Sequence, residues 1–390
     1  MRRAEYWEFP GSSASRHVIN PQAGWGWFEC LSQNVRKRAV RVEYSTAARE
    51  LIKNPVTNEI LGVVADRGTG TVAIRARRGV VLACGGFEFN MEMQASYLRV
   101  WPFRFYGNPA NTGDGVKMAQ KVGAALWHMN NVSARITAWW PDFPSAFTVR
   151  PDLRERHAIF AATDRFGKEF SKFKSSYSFL IVDKHGMRFA NEFYRVHTFY
   201  WEVVRFDTER AEFPRIPCHL IFDEKTRCEG PIIHRTGFSG PAQLYQWSED
   251  NSREIERGWI IKADTIGDLA KKIGVPPVQL QDTVEIFNRY CALGRDEDFN
   301  RPVEKMAPLD TPPFYAVIQW PGGPNTQGGA KRNAACQIVD PDDHPIPRLY
   351  GAGEFGSMYG FLYEGGGNTA ECIVTGRIAG ERVAAEEPWE

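Results

Sequence analysis

The chain has 390 residues, a formal net charge of +1, 43% hydrophobic residues and 24% charged ones. That length suits two domains around a sizeable core, and the near-neutral balance gives no electrostatic basis for binding nucleic acid or an anionic membrane surface. Seven Cys and eight His are scattered with no C-x-x-C among them, which argues against a disulfide scaffold or a metal site and for a reduced, cytoplasmic setting. No apolar run reaches membrane-spanning length, and Met1 to Trp7 offers no apolar core for a signal peptide. Aromatics make up 13% of the chain, with 12 Trp, a content that fits an aromatic-lined pocket as well as an aromatic core.

In chain order, the first 25 residues are polar and irregular, with 17–21 a candidate strand or arm. A helix is expected from Gly24 to about Lys37, with Leu31 and Val35 as its apolar spine. Alternation predicts strands over 40–47 and 48–53, then a hairpin of 60–65 and 71–76. Residues 79–84 are wholly apolar, the pattern of a strand covered on both faces. Helices are expected over 91–99 and 116–123, separated by a polar Gly-rich loop, 108–115. Asp114 at the start of the second helix complements its dipole. From about 126 to 306 aromatics and charges interleave and Gly thins out. There, 178–183 and 187–192 read as a strand pair about Lys184-His-Gly, and 219–223 as a further strand. Residues 266–273 and 277–290 read as helices, the latter burying Leu280, Val284, Phe287 and Tyr290. Residues 314–320 form another strand.

The C-terminal stretch organises the rest. Leu349-Tyr350 ends a buried strand, and Gly351, Gly353, Gly356 and Gly360 let backbone pass close to a neighbour. Gly365-Gly-Gly367 opens into a helix with Asn368 or Thr369 at its cap. Ile373, Val374, Ile378 and Val383 lie along one face of that helix. A Gly-rich loop feeding a helix start presents unpaired N–H groups and the positive end of a dipole, a place for an anionic or electron-rich group. A turn with Gly for packing alone gives the same local pattern.

Three such turns occur in order: Cys84-Gly-Gly-Phe87, Thr112-Gly-Asp-Gly115 and the C-terminal run. With Gly186-Met-Arg-Phe-Ala-Asn-Glu192 and Asn325-Thr-Gln-Gly-Gly329 they resemble the FAD-binding superfamily of fumarate reductase and succinate dehydrogenase flavoprotein subunits and 3-ketosteroid dehydrogenases. The resemblance implies an α/β fold: an incomplete Rossmann-like FAD-binding domain over 1–125 and 307–390, with an inserted α+β capping domain over 126–306. It also implies a cofactor site at Gly85, Gly86, Thr112, Gly113, Asp114, Glu354, Gly366, Asn368, Thr369 and Ala370. Asp114 would sit near the flavin, Glu354 would bind a cofactor hydroxyl, and Thr369 and Ala370 would place N–H groups at the flavin pyrimidine edge, where reduction builds negative charge. One element of the family pattern is missing. No G-x-G-x-x-G precedes these motifs, and Gly24-Trp-Gly26 is not one. The expectation is a member without the opening βαβ unit, whose FAD site a missing N-terminal segment or a partner chain would complete. The alternative is a fragment that is not catalytic by itself.

Two positions bear on the chemistry. The dicarboxylate-handling branch carries an Arg where this chain has Glu364, and a carboxylate there would repel fumarate or succinate. The ketosteroid branch carries a Tyr and, four residues on, a Gly that grip a substrate carbonyl; Tyr363 and Gly367 match that spacing. The resemblance therefore implies oxidation or reduction of a C–C bond beside a carbonyl, on a small, apolar, carbonyl-containing substrate. Tyr363 as a packed aromatic remains the other reading. Tyr194, Arg195 and His197 are the candidates for proton transfer. No second nucleotide motif identifies an electron partner.

Overall fold

The computed structural model describes Tyr6, Pro10 and residues 23–68, 70–149, 175–193, 196–233 and 244–389. The arm at 17–21, Tyr194 and Arg195 lie outside the described residues. The first part holds α1 (Ala23–Lys37), β1 (Thr46–Lys53), β2 (Ile60–Arg67), β3 (Gly70–Arg75), β4 (Val80–Leu82), α2 (Met91–Tyr97), β5 (Arg104–Phe105), α3 (Asp114–Lys121) and β6 (Leu126–Trp127). The middle holds β7 (Arg135–Thr137), β8 (Phe179–Val182), α4 (Val196–Val203), β9 (Cys218–Asp223), α5 (Glu224–Cys228), α6 (Ser252–Glu256), β10 (Ile261–Ala263), α7 (Ile266–Ile273) and α8 (Pro277–Leu293). The last part holds β11 (Phe314–Gly323), β12 (Gly329–Ala330), β13 (Gln337–Val339), β14 (Pro345–Gly351) and α9 (Gly367–Ala385). No helix among the described residues is long and apolar enough to cross a membrane.

The middle sheet runs β10-β11-β9-β8, with β5 and β7 also pairing along β11. Side chains alternate between its two faces, as the period of an extended strand requires. Phe179, Ile181, Leu220, Phe222, Tyr315 and Val317 point into an aromatic core with Trp140, Phe147, Trp247 and Trp259. Leu180, Val182, Ile221 and Ala316 point the other way, onto Leu269 of α7 and Leu280, Val284 and Phe287 of α8. Both faces are therefore covered, which is why Phe179–Val182 of β8 and Leu220 to Phe222 of β9 read as unbroken apolar runs. Strand β11 begins beyond residue 306, yet it lies inside this sheet. Its far end, Gly323, leads directly to the segment that packs beside α9.

The smaller sheet runs β13-β14-β4, with β4 parallel to β14 and paired to β14 alone among the described residues. Helix α9 packs on β14 and β4, and α3 fills the core beneath through Val116, Met118 and Ala119. Strands β1, β2 and β3 form an antiparallel meander.

Several expectations from the sequence are corrected. Residues 40–45 are not a strand: Ala39 and Ser45 take positive φ, and Val40, Val42 and Tyr44 project into solvent with no partner strand among the described residues. Helix α1 forms, but its spine residue Leu31 is exposed. The run at 79–84 yields only three strand residues and is not covered on both faces, with Val81 38% exposed. On α9, Ile378 packs with Tyr350 and Ala379, whereas Ile373 and Val374 are 43% and 54% exposed. Residues 187–192 do not continue as a strand beyond one bridge, Val182 to Arg188. Arg188 is instead drawn into a buried ion network. It meets Glu192 at 2.9 Å and Asp296 at 3.0 Å, and Arg301 meets Glu192 at 3.4 Å. Burial works against the Glu192 carboxylate, but the two guanidinium groups overcome it and hold its pKa below the usual value.

Candidate active site

The chain turns into α9 at Gly366, whose φ of +89° is left-handed, a conformation glycine enters at little cost. Ala370 N–H bonds Gly366 C=O at 3.3 Å, and Gly367 N–H donates to Glu364 C=O at 2.8 Å. Gly367 is buried against Tyr359, whose hydroxyl would overlap any Cβ placed there. The hydroxyl oxygen of buried Tyr363 accepts from Gly366 N–H at 3.1 Å and Asn368 N–H at 3.5 Å. Its own hydrogen is not used in either bond. Burial pushes the Tyr363 pKa up to about 12 against the opposing backbone donors, so the phenol stays protonated. Of the expected carbonyl clamp, Gly367 N–H is committed within the loop, and the phenol O–H is the remaining donor.

The other two Gly-rich turns converge here. Gly113 N–H donates to Gly86 C=O at 3.1 Å, and a Cβ on Gly115 would lie 2.8 Å from Phe355 and 2.9 Å from Cys84. Thr112 Oγ1–H donates to Asp114 Oδ1 at 2.7 Å at the start of α3. A Cβ on Gly85, which takes φ +70°, would meet the Asn111 side chain, so that glycine is also required by packing. Asn368 is buried, donating to Asn325 Oδ1 at 2.7 Å and accepting from Gln327 at 3.2 Å.

Several groups that sequence reasoning missed set the electrostatics, first the pair Arg332 and Glu371, then Glu88. Arg332 donates to Gly353 C=O at 3.0 Å and Phe355 C=O at 3.1 Å and pairs with Glu371 on α9. Glu371 also accepts from Ser357 Oγ at 2.6 Å and Met358 N–H at 2.8 Å. This pair fixes the loop that carries Glu354. The Glu354 carboxyl has no hydrogen-bond partner among the described residues, and burial, then the charge of Glu371, pushes its pKa up to about 7. Glu88, fully buried, accepts from Thr326 N–H at 3.1 Å and Asn111 at 3.4 Å through one oxygen, while the other is buried without a partner. Burial, then the charge of Glu354, pushes the Glu88 pKa up to about 8. Its position directly after Gly-Gly-Phe, deep in an apolar turn, was the available signal.

A raised acid pKa favours the fold while the unfolded chain is also protonated, and that advantage is lost as pH rises from about 4.5 toward about 8. Glu88→Gln removes the titration. The variant is expected to gain melting temperature relative to the unmodified chain as pH is raised from 5 to 9 (about these limits). Parallel thermal melts at both pH values check this.

Beside Tyr363 a small cleft, open to solvent, is lined by Asn131, Ala134, His197, Tyr200, Trp201 and Phe361. The His197 ring meets Tyr363 edge-to-face at 4.8 Å. His197 Nδ1 lies 2.9 Å from Ala134 C=O, so that nitrogen carries the hydrogen and Nε2 is the basic one. Burial first, then Arg135, lowers its pKa well below the usual value, and the imidazole is neutral at pH 7. Arg135, a buried cation on β7 whose charge reaches both His197 and Tyr363, stood in the sequence as a lone Arg in an apolar run. Of the three proton-transfer candidates, only His197 lies within the described residues.

The donor set fits FAD. Thr369 N–H, exposed at the positive end of α9, has no partner among the described residues, and the open Glu354 carboxyl suits a hydroxyl. Comparison with known families matches residues 5–370 to the FAD binding domain family. The chain belongs to this family. It is 31% identical to the digoxin reductase of Eggerthella lenta over 96% of its length and 65% of that protein's. It is 32% identical to the 3-oxosteroid 1-dehydrogenase of Mycolicibacterium smegmatis over 91% of its length and 61% of that protein's. Among solved structures, the 3-ketosteroid delta1-dehydrogenase of Sterolibacterium denitrificans in complex with 1,4-androstadiene-3,17-dione is similar with a TM-score of 0.73 and 26% identity, covering 91% of this chain and 62% of that one. An open flavocytochrome c3 fumarate reductase follows at 0.63 and 26%, covering 91% and 54%. The chain thus spans less than two thirds of the length of these relatives. The FAD-binding α/β fold implied by the motifs is the fold observed.

Proposed function

We propose that the chain serves an FAD-dependent oxidoreductase acting on a C–C bond next to a ketone, closer in chemistry to ketosteroid dehydrogenation than to fumarate reduction. The observation that carries this is the buried, protonated Tyr363 phenol, edge-on to a neutral His197 in an aromatic-lined cleft next to the start of α9. FAD, when bound, supplies hydride transfer. Thr369 N–H and the α9 dipole would hold its pyrimidine edge, with Glu354 on a hydroxyl. Tyr363 O–H would donate to the substrate ketone and stabilise the enolate that forms when the neighbouring C–H loses its proton. His197, edge-on to that ring, is the one proton-transfer candidate among the described residues, with burial and Arg135 keeping it a weak base, and the positive charge of Arg135 favours the developing oxyanion. Glu364, standing where the dicarboxylate branch carries Arg, disfavours a dianionic substrate. In the test, FAD-loaded protein is mixed anaerobically with a 3-oxosteroid or a cyclohexanone. Bleaching of the visible flavin band with formation of the unsaturated ketone is the expected result, and no bleaching with either compound rejects the reading.

A second reading is that a further polypeptide segment completes the FAD site. Parallel strands are normally covered, and the edge of β4 that no strand among the described residues pairs, together with exposed Val81, Ile373 and Val374, favours it. Protein that purifies yellow without any added segment argues against it.

A further inference from the structure

At its mouth the cleft beside Tyr363 carries an arrangement that carbonyl chemistry does not use. Trp201 of α4 and Phe361 stack with ring centroids 4.6 Å apart and an interplanar angle of 23°. Both line the cleft that His197 and Tyr363 also line. Arg99, just past α2, brings its guanidinium carbon to 4.9 Å from the Trp201 ring centroid and 5.7 Å from that of Phe361. Arg99 is exposed and makes no hydrogen bond or ion pair among the described residues. Arg99 meets the cleft through Trp201 and Phe361, and the other residues lining it, Val132, Ala134 and Leu362 among them, bring no carboxylate. A guanidinium stacked on aromatic faces keeps its in-plane N–H donors available for a planar anion. Arg188, Arg301 and Arg332 are ion-paired in this fold, whereas Arg104 packs on Trp139 and Trp320 away from the cleft, so it is the place of Arg99 beside the cleft, not its lack of an ion pair, that singles it out.

We propose that Arg99, held on Trp201 and Phe361, reads an anionic group of the substrate remote from its ketone. The substrate class is then an apolar ring ketone with a single distal carboxylate. This differs from a dicarboxylate, because one end of the molecule meets the Tyr363 phenol and only the other meets a cation. The inference rests on the dehydrogenase reading for the identity of the ketone end, whereas the anion preference can be measured without turnover.

The test uses FAD-loaded protein and two probes, a cyclohexanone carrying a propanoate tail and its methyl ester. Binding is measured by calorimetry and turnover separately. The unmodified chain is expected to bind the acid about tenfold more tightly than the ester, the size of one charge-assisted contact. Arg99→Gln is expected to abolish that ratio while leaving ester affinity within about twofold, and Arg99→Lys, which keeps the charge, to retain part of it. An unchanged acid-to-ester ratio in Arg99→Gln, equal weakening of both probes, or failure of the acid to bind the unmodified chain overturns the proposal. A binding ratio that behaves as expected with no turnover of either probe leaves Arg99 in this role and rejects the dehydrogenase reading instead.

Discussion

Tyr363→Phe is expected to lower kcat by about a hundredfold while FAD remains bound, the usual cost of losing one preorganised donor at a developing oxyanion. The substitution removes only the hydroxyl. The ring contacts with His197 and Tyr359, at 4.8 and 5.3 Å, are preserved, so the cleft keeps its shape. The substitution also removes the acceptor of the Gly366 and Asn368 N–H groups, so a loss of about 1–3 kcal/mol in stability is expected beside the kinetic effect. Rapid-mixing measurement of flavin reduction, with the flavin spectrum as a control for occupancy, separates the two effects. Unchanged flavin reduction would remove Tyr363 from the chemistry and return it to packing.

Arg332→Ala is expected to destabilise the protein by about 3–5 kcal/mol, because it leaves the buried Glu371 carboxylate uncompensated. It also strips donors from two buried carbonyls, those of Gly353 and Phe355. The loss appears as a lower urea midpoint with the slope unchanged. The double variant Arg332→Met with Glu371→Met is expected to recover much of it, since two apolar side chains in that space need no charge compensation. The single variant is also expected to bind FAD less tightly, because the pair holds the loop bearing Glu354 to the first turns of α9. A loss of stability below about 1 kcal/mol would mean that the pair is solvated in solution.

The site was legible where chemistry and backbone conformation coincide. Left-handed glycines at 85, 113 and 366 and a helix opening within Gly365-Gly-Gly367 are local features, and the sequence displays them, although the cap is Gly366 and not Asn368 or Thr369 as expected. What stayed hidden depends on distant partners. Nothing in Gly329-Ala-Lys-Arg332 announces that its Arg reaches a carboxylate 39 positions on. Arg188 and Glu192 read as strand residues until Asp296 and Arg301, more than a hundred positions away for Arg188, drew them inward. The apolar faces at 79–84 and on α9 were correctly found as apolar. Whether such a face is covered depends on its neighbours, which periodicity does not encode. Residues 40–45 failed for a related reason: alternation marks a strand only where a partner edge exists.

Strand β11 bears on how the molecule can move. It is the backbone of the middle sheet, and within a few residues of its end Thr326 holds Glu88 and the turn at Phe87, while Asn325 and Gln327 grip Asn368. No slack joins the two regions along this path. A free swing of the middle sheet would pull on the cofactor turn and the helix tip together. Opening for substrate must therefore work as a lever about β11's end or be confined to small pieces such as the aromatic pair at the mouth. Filling the cofactor turn would, by the same strut, stiffen the distant sheet, and hydrogen exchange in β8 and β9 should slow when FAD binds.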